Sequence, residues 1–328
     1  MPRRLANLVL LAAIAMLLAS GIVAWLLSET AAGALYVAHR IAGVAFVLTL
    51  AWKYAIARRS LRRRGVAGSG VWIGLATAAL TITASSLGLA WTAGLVSFDR
   101  PFGYSALNLH VIAGLALGVL VVAHALARGE SRPALVTFGG RRAALRGLAL
   151  LAASFVATAA LDRVALARRG SGSRHAGSFT GNAFPVTIWS LDSVPSIDVE
   201  SWRLRVRGSE SARPVEISYV DLTTLPRHDV SVVLDCTGGW WSEQMWSGVS
   251  LTDVLARCGM SEDATRVEVI SVTGHRWTFD RPEAERAILA THVGGQPLSP
   301  GHGYPLRLVA PSLRGFLWIK WVGEVVAA

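Results

Sequence analysis

The chain has 328 residues, 52% of them hydrophobic and only 16% charged, against about 25% charged in an average soluble domain. That balance excludes a single ordinary soluble domain, a disordered chain and a collagen-like repeat, and two cysteines exclude a disulfide scaffold or a zinc ribbon. The net charge of +11 is unevenly spread: residues 1–170 hold 18 Lys+Arg against 4 Asp+Glu, and residues 171–328 hold 14 against 17. The excess belongs to one half of the chain, so it does not mark a nucleic-acid binder.

Long apolar runs cover 5–27, 34–57, 71–96 and 106–127, with a shorter one at 147–161. About 20 apolar residues cross the hydrocarbon core of a bilayer. The pattern predicts an all-α transmembrane bundle of five helices over 1–166, with the lipid bilayer as its partner. Arginines punctuate it unevenly: Arg3 and Arg4 precede the first span, Arg58, Arg59, Arg62, Arg63 and Arg64 follow the second, and Arg128, Arg132, Arg141, Arg142 and Arg146 lie between the fourth and fifth. The other two loops carry only Glu29 with Arg40, and Asp99 with Arg100. By the positive-inside rule the arginine-rich loops face the cytoplasm and everything after about residue 166 lies outside. Arg141-Arg142 before a modest apolar run also matches a twin-arginine export signal.

The second and fourth spans repeat each other. His39-Arg40-Ile41-Ala42-Gly43 answers His110-Val111-Ile112-Ala113-Gly114, and fourteen residues further on stand Lys53 and His124. Fourteen residues rise about 21 Å and close nearly four turns, which puts His110 and His124 on one helix face at opposite depths. Ionisable residues inside a membrane are costly and point to function. Neutral imidazoles on facing helices suit haem iron, and Gly43 and Gly114 leave room for a porphyrin. The pattern resembles the membrane cytochromes b over about 120 residues. It implies one haem b held by His39 and His110. A second haem on His124 would need an unusual partner, since Lys53 stands at the matching position and is expected to snorkel to the interface.

Residues 167–178 form a linker of Gly, Ser and Arg, and residues 179–328 differ in kind. Short β-rich runs at 202–206, 230–234, 266–271 and 305–309 are separated by turn residues, with one helix at 251–257, a candidate cap at Ser250 and a stop at Gly259. The segment Leu234-Asp235-Cys236-Thr237-Gly238-Gly239-Trp240-Trp241 ends a strand in a thiol and a glycine turn walled by tryptophans. A thiolate there suits a soft metal. Cys236 could instead pair with Cys258, or Cys258 could be a buried thiol. The other histidines, His175, His228, His275 and His292, show no ligand spacing.

Cys236 with Trp240 and Trp246-x-Gly248-Val249, followed by His302-Gly303-Tyr304-Pro305-Leu306-Arg307 and Trp318-Ile319-Lys320-Trp321, resembles the sulfite-oxidase-type molybdopterin oxidoreductases over about 150 residues. The resemblance implies an α+β, mainly-β domain at 179–328 that holds molybdopterin. Cys236 would ligate molybdenum. Asn182, Ser271, His302 and Arg307, with Trp318, Ile319 and Lys320, would contact the pterin or its phosphate. Arg174, His175 and Tyr304 are the nearest candidates for the extra groups that hold sulfite in the family, and they match poorly.

The combination resembles the bacterial systems that repair methionine sulfoxide, where a molybdopterin subunit works with a haem membrane subunit. It implies a multi-pass protein of a bacterial cytoplasmic membrane with an extracytoplasmic oxidoreductase domain. Quinone or another membrane electron carrier would exchange electrons with it, and the substrate would be a small molecule or a protein side chain. Two alternatives stay open: a cofactor-binding or sensor module without turnover, and an enzyme whose helices are only an anchor.

Overall fold

The computed structural model describes residues 3–27, 29–64, 69–96, 104–128, 140–164, 168–188, 192–208, 214–259 and 264–327. The chain divides into two compact units, Met1–Arg174 and His175–Ala328.

The first unit is helical: α1 (Arg3–Leu26), α2 (Glu29–Arg64), α3 (Ser69–Ala93), α4 (Ala106–Arg128) and α5 (Arg141–Val164). All five are long and apolar enough to cross a membrane. Packing follows the sequence repeat, since α1 lies chiefly on α2 and α3 on α4, while α5 joins α2. Polarity is reversed relative to a helix in water. On α5, Leu148, Leu151 and Phe155 are exposed while Ser154 and Thr158 are buried. Those two hydroxyls satisfy themselves on the carbonyls of Leu150 and Ser154, at 2.7 and 2.8 Å, the expected economy for a polar group kept from water.

Two expectations for this unit change. α5 is longer than its apolar run and opens on Arg141-Arg142, because arginine, alanine and leucine all favour helix. Arg40 is not a loop charge: it sits within α2, paired with Asp162 of α5. The Lys53 ammonium donates to Asn7, near the N-terminal end of α1, at 2.8 Å. Asp99, Arg100 and Arg132 lie outside the described residues.

The second unit is built on two sheets. One is six-stranded and runs β1 (Arg174–His175), β5 (Trp240–Ser250), β8 (Ile288–Val293), β10 (Arg307–Val309), with β4 (Arg227–Asp235) on β5 and β9 (Gln296–Pro297) on β8. The other runs β3 (Val215–Ser218), β2 (Arg203–Gly208), β11 (Val322–Ala327), β6 (Arg266–Ser271), β7 (Arg276–Asp280). Short helices α6 (Tyr219–Thr223), α7 (Leu251–Arg257) and α8 (Arg281–Arg286) connect them. The predicted helix at 251–257 and strand at 266–271 match α7 and β6. The strand expected at 305–309 begins only at Arg307, since Pro305 has no N–H to give a ladder. Ser250 precedes α7 without capping it: its hydroxyl meets Thr252 Oγ1 at 2.7 Å. Gly259 ends the helix with φ +65°, the left-handed stop that glycine allows.

The glycine turn falls at residues 237–239 as expected, and the tryptophans that wall it open a long strand, β5. β5 alternates, with Trp240, Ser242, Gln244 and Trp246 buried and Glu243 and Met245 exposed. Gly248 has no room for a side chain, because a Cβ there would lie 2.1 Å from the Leu289 carbonyl of β8. The register of β5 on β8 shifts at that point.

Candidate cofactor sites

Cys236 occupies the tip of the long β4–β5 hairpin. Antiparallel pairing runs from Arg227↔Val249 to Asp235↔Trp241. Beyond it, Cys236 N donates to Trp240 O at 2.8 Å and Gly239 N to Cys236 O at 3.0 Å. Gly239 has φ +87°, so glycine is needed there for backbone shape. At Gly238 a Cβ would be in ordinary contact with the Cys236 sulfur, at 3.5 Å. Cys236 is 7% exposed and in no disulfide. Its sulfur accepts the Gly238 N–H at 3.3 Å and lies 3.3 Å from Thr187 Oγ1. Thr187 Oγ1 also accepts Trp240 Nε1 at 3.3 Å.

Beneath the tip lies a buried ion pair that sequence reasoning missed. Arg314 bonds Asp235, with side chains 1% and 7% exposed. Its other nitrogen reaches the Cys236 carbonyl at 3.5 Å. Gly315 lets the two segments meet, since a Cβ there would stand 3.1 Å from Asp235 O and 3.3 Å from Cys236 Cα. Asp235 stands beside the thiol in the segment that the sequence singles out, but nothing there marks Arg314, 79 residues on, as its partner.

Most residues expected to contact a pterin are hydrogen-bonded to neighbouring segments of the domain. Asn182 donates to Pro297 O and accepts from Ser299 N, both at 2.8 Å. His302 Nδ1 meets Ser299 Oγ at 2.7 Å and Nε2 meets Phe184 O at 3.0 Å. Burial pushes this imidazole down to about 4, so it is neutral near pH 7. Lys320 Nζ donates to Thr187 O and Gly301 O, at 2.8 and 2.6 Å. Ile319 and Trp318 are buried, with Ile319 O accepting Leu308 N at 2.7 Å and Trp318 Nε1 donating to Leu313 O at 3.2 Å. Ser271 Oγ lies 3.0 Å from Thr273 Oγ1. Segments 182–187, 236–240, 299–307 and 318–321 thus form one network around the thiol.

Arg307 is the exception. It is 3% exposed, and among the described residues no carboxylate pairs with it. Its Nη1 donates to His302 O at 3.0 Å, while the buried Nε has no hydrogen-bond partner. Trp246 and Trp318 flank the guanidinium at 5.1 and 5.9 Å. Burial lowers it to about 10, partly opposed by the charge of Cys236. A buried cation without a counter-ion is costly, and this one suits an anionic group beside Cys236. Among the described residues no cluster of three or more His, Cys, Asp or Glu forms a metal cage.

The helical unit brings His39 and His110 together, with ring centroids 6.1 Å apart and planes at 83°. His39 Nδ1 bonds Leu17 O at 3.0 Å, and His110 Nδ1 bonds Ala84 O at 2.8 Å. Donation to a carbonyl fixes the tautomer and leaves the lone pair on Nε2. A metal–imidazole bond is about 2 Å, so two rings sharing one ion across it have centroids about 6 Å apart. Each ring also lies on a glycine: a Cβ at Gly21 would be 2.9 Å from His39 Cε1, and one at Gly88 2.9 Å from His110 Cε1. Both histidines, Gly43 and Gly114 line one cavity, while His124 and Lys53 are not among its lining residues. Gly21 and Gly88 were missed, because they stand four and three residues before Trp25 and Trp91 and so leave no in-register signal.

Arg174 points into the helical unit, onto Val96 O at 2.8 Å and 4.4 Å from the Trp91 ring. His175 stacks on Trp241 at 4.4 Å, and Tyr304 stands 6.1 Å from Tyr219.

Residues 191–328 match the family described as the oxidoreductase molybdopterin binding domain. Mitochondrial sulfite oxidase of Rattus norvegicus is 30% identical over 178 residues, 45% of this chain and 31% of that protein. The uncharacterized oxidoreductase YuiH of Bacillus subtilis is 33% identical over 130 residues, 38% of this chain and 64% of that protein. Nitrate reductase [NAD(P)H] of Hordeum vulgare is 28% identical over 170 residues, 42% of this chain and 19% of that protein. The chain thus spans about a third of the sulfite oxidase and under two thirds of YuiH. The helical unit lies outside the family match. The Cys236 tip and the buried Arg307 both lie within residues 191–328, the segment that matches the oxidoreductase molybdopterin binding domain.

Proposed function

We propose that this chain is a multi-pass oxidoreductase of a bacterial cytoplasmic membrane. Its helical unit carries one haem b on His39 and His110, and its extracytoplasmic β unit holds molybdopterin at Cys236. The haem exchanges electrons with quinone or another membrane carrier. Molybdopterin, when bound, supplies two-electron oxygen-atom transfer. Cys236 holds the metal, the Thr187 hydroxyl and Gly238 N–H orient the sulfur, and Arg307 meets the anionic part of the cofactor.

The observation that carries the membrane half is the pair of imidazoles at 6.1 Å, each with Nδ1 on a backbone carbonyl. The inverted polarity of α5 and the arginine distribution support a bilayer setting. We favour the reductive direction and a neutral substrate such as a sulfoxide, in a small molecule or a protein side chain. That reaction takes two electrons and two protons and releases a thioether and water. Of the arginines near the thiol, Arg314 is paired with Asp235 and Arg307 is assigned to the cofactor, while Arg174, the nearest candidate for an oxyanion, is engaged elsewhere.

The test is the visible spectrum and molybdenum content of the full chain purified in detergent. A reducible b-type spectrum with one molybdenum per chain is expected. A folded sample that takes up no molybdenum overturns the enzyme reading, and one without haem reduces the helices to an anchor.

A further inference from the structure

Beside the histidine cavity stands a charge cluster that haem ligation leaves unexplained. Tyr36, His39, Arg40 and Gly43 are spaced to share one face of α2, and all four line the cavity. The side chains of Arg40 and Arg168 are only 11% and 6% exposed, and both pair with Asp162, which is 48% exposed. Arg168 Nη1 also donates to Tyr36 Oη at 3.0 Å, and both guanidiniums lie over the Tyr36 ring, at 5.5 and 5.9 Å. A Cβ at Gly172 would stand 2.8 Å from that ring, so the backbone presses Tyr36 into place.

Two largely buried guanidiniums, Arg40 in the lining of the apolar cavity and Arg168 joined to the lining residue Tyr36, therefore share one half-exposed carboxylate. Burying a cation costs free energy that a single shared partner offsets only in part. Guanidinium forks recognise carboxylates through paired hydrogen bonds. An occupant with a flat apolar body and carboxylates along one edge satisfies the cavity and the cluster together. We propose that Arg40 and Arg168, steadied by Tyr36, form a receptor for the propionate edge of the porphyrin. This rests on the haem reading above and adds to it an orientation, because the carboxylate edge faces the end of the bundle that carries residues 168–172.

The experiment compares haem with its dimethyl ester, which keeps the iron and macrocycle but removes both negative charges. The detergent-solubilised full chain, stripped of haem, is titrated with each and read by the Soret band. The wild-type chain is expected to bind haem about tenfold or more tightly than the diester. In Arg40→Gln/Arg168→Gln the two should bind alike, with the diester affinity unchanged. Equal wild-type affinities overturn the receptor while leaving the haem ligands standing. No uptake of either porphyrin overturns both. A preference that survives unchanged in the double variant overturns the assignment to these arginines. If the double variant does not fold, the wild-type comparison and Arg168→Gln alone decide: a lost preference in the single variant supports the assignment and a kept one overturns it.

Discussion

The buried histidines of the two units are held by the same device and left in opposite conditions. His39, His110 and His302 each give one ring nitrogen to a backbone carbonyl. In His302 the second nitrogen is taken as well, by the Ser299 hydroxyl. In the helical pair, the nitrogens carrying the lone pairs belong to rings set one metal ion apart. A ring with both nitrogens engaged fixes the fold, and a ring with one engaged is prepared for a ligand.

The sharpest way to break this comparison is to remove the rings. His39→Ala or His110→Ala should each lower haem occupancy at least about tenfold with molybdenum unchanged, read by the visible spectrum beside metal analysis. His302→Gln should keep the haem in full. Haem retained after either alanine substitution would end the pairing argument.

Next in size is the Asp235–Arg314 pair. Arg314→Leu leaves a buried carboxylate alone and should destabilise the β unit by about 3–5 kcal/mol, whereas Asp235→Leu with Arg314→Leu should recover most of that loss. Urea unfolding followed by tryptophan fluorescence checks both, and a single variant as stable as the parent would show that the pair does not brace the hairpin tip.

Smaller still is the effect of the glycines. Gly88→Ala and Gly21→Ala push a methyl group to 2.9 Å from the imidazoles and should cut haem affinity several-fold by turning the ring. At Gly114 a Cβ meets nothing within 4 Å, yet the residue lines the cavity. Gly114→Ala should therefore leave the helices intact and weaken only the bound porphyrin. Thermal melting beside haem titration separates these cases, and equal effects at all three positions would contradict the ring-on-glycine packing.

The smallest effect is a slope. His302 is held near 4, below its unfolded value of 6.5. Between those values the unfolded chain binds a proton that the folded chain refuses, so stability falls as pH is lowered from about 6.5, by up to about 1.4 kcal/mol per pH unit. His302→Gln should flatten that dependence in unfolding curves taken from pH 7 to pH 5. An unchanged slope would remove His302 as its source.

Legibility differed between the two units for physical reasons. Helices long enough to cross a bilayer announce themselves by composition, and a residue repeated in register, as His39 and His110 are, stands out against an apolar background. Arg40 was misplaced because its partner Asp162 lies far along the chain, and an ion pair between distant helices leaves no periodic trace. In the β unit the motif residues stood out, but their partners did not. Thr187 and Arg314 act through single contacts made only when distant strands meet. The length of β5 was hidden because tryptophan, glycine and serine blur the alternation that marks a strand, and the close approach of β8 at Gly248 leaves no trace in the sequence.

The grip of Lys320 on the carbonyls of Thr187 and Gly301 has a consequence for timing. Synthesis runs from the N-terminus, so the thiol at position 236 exists well before the lysine that ties its surroundings together. Until residue 320 has emerged and β11 has joined β2 and β6, the loop beside Cys236 has no lock. A cofactor that needs the closed network can be retained only by a nearly finished domain, which makes loading a late event in the life of the chain.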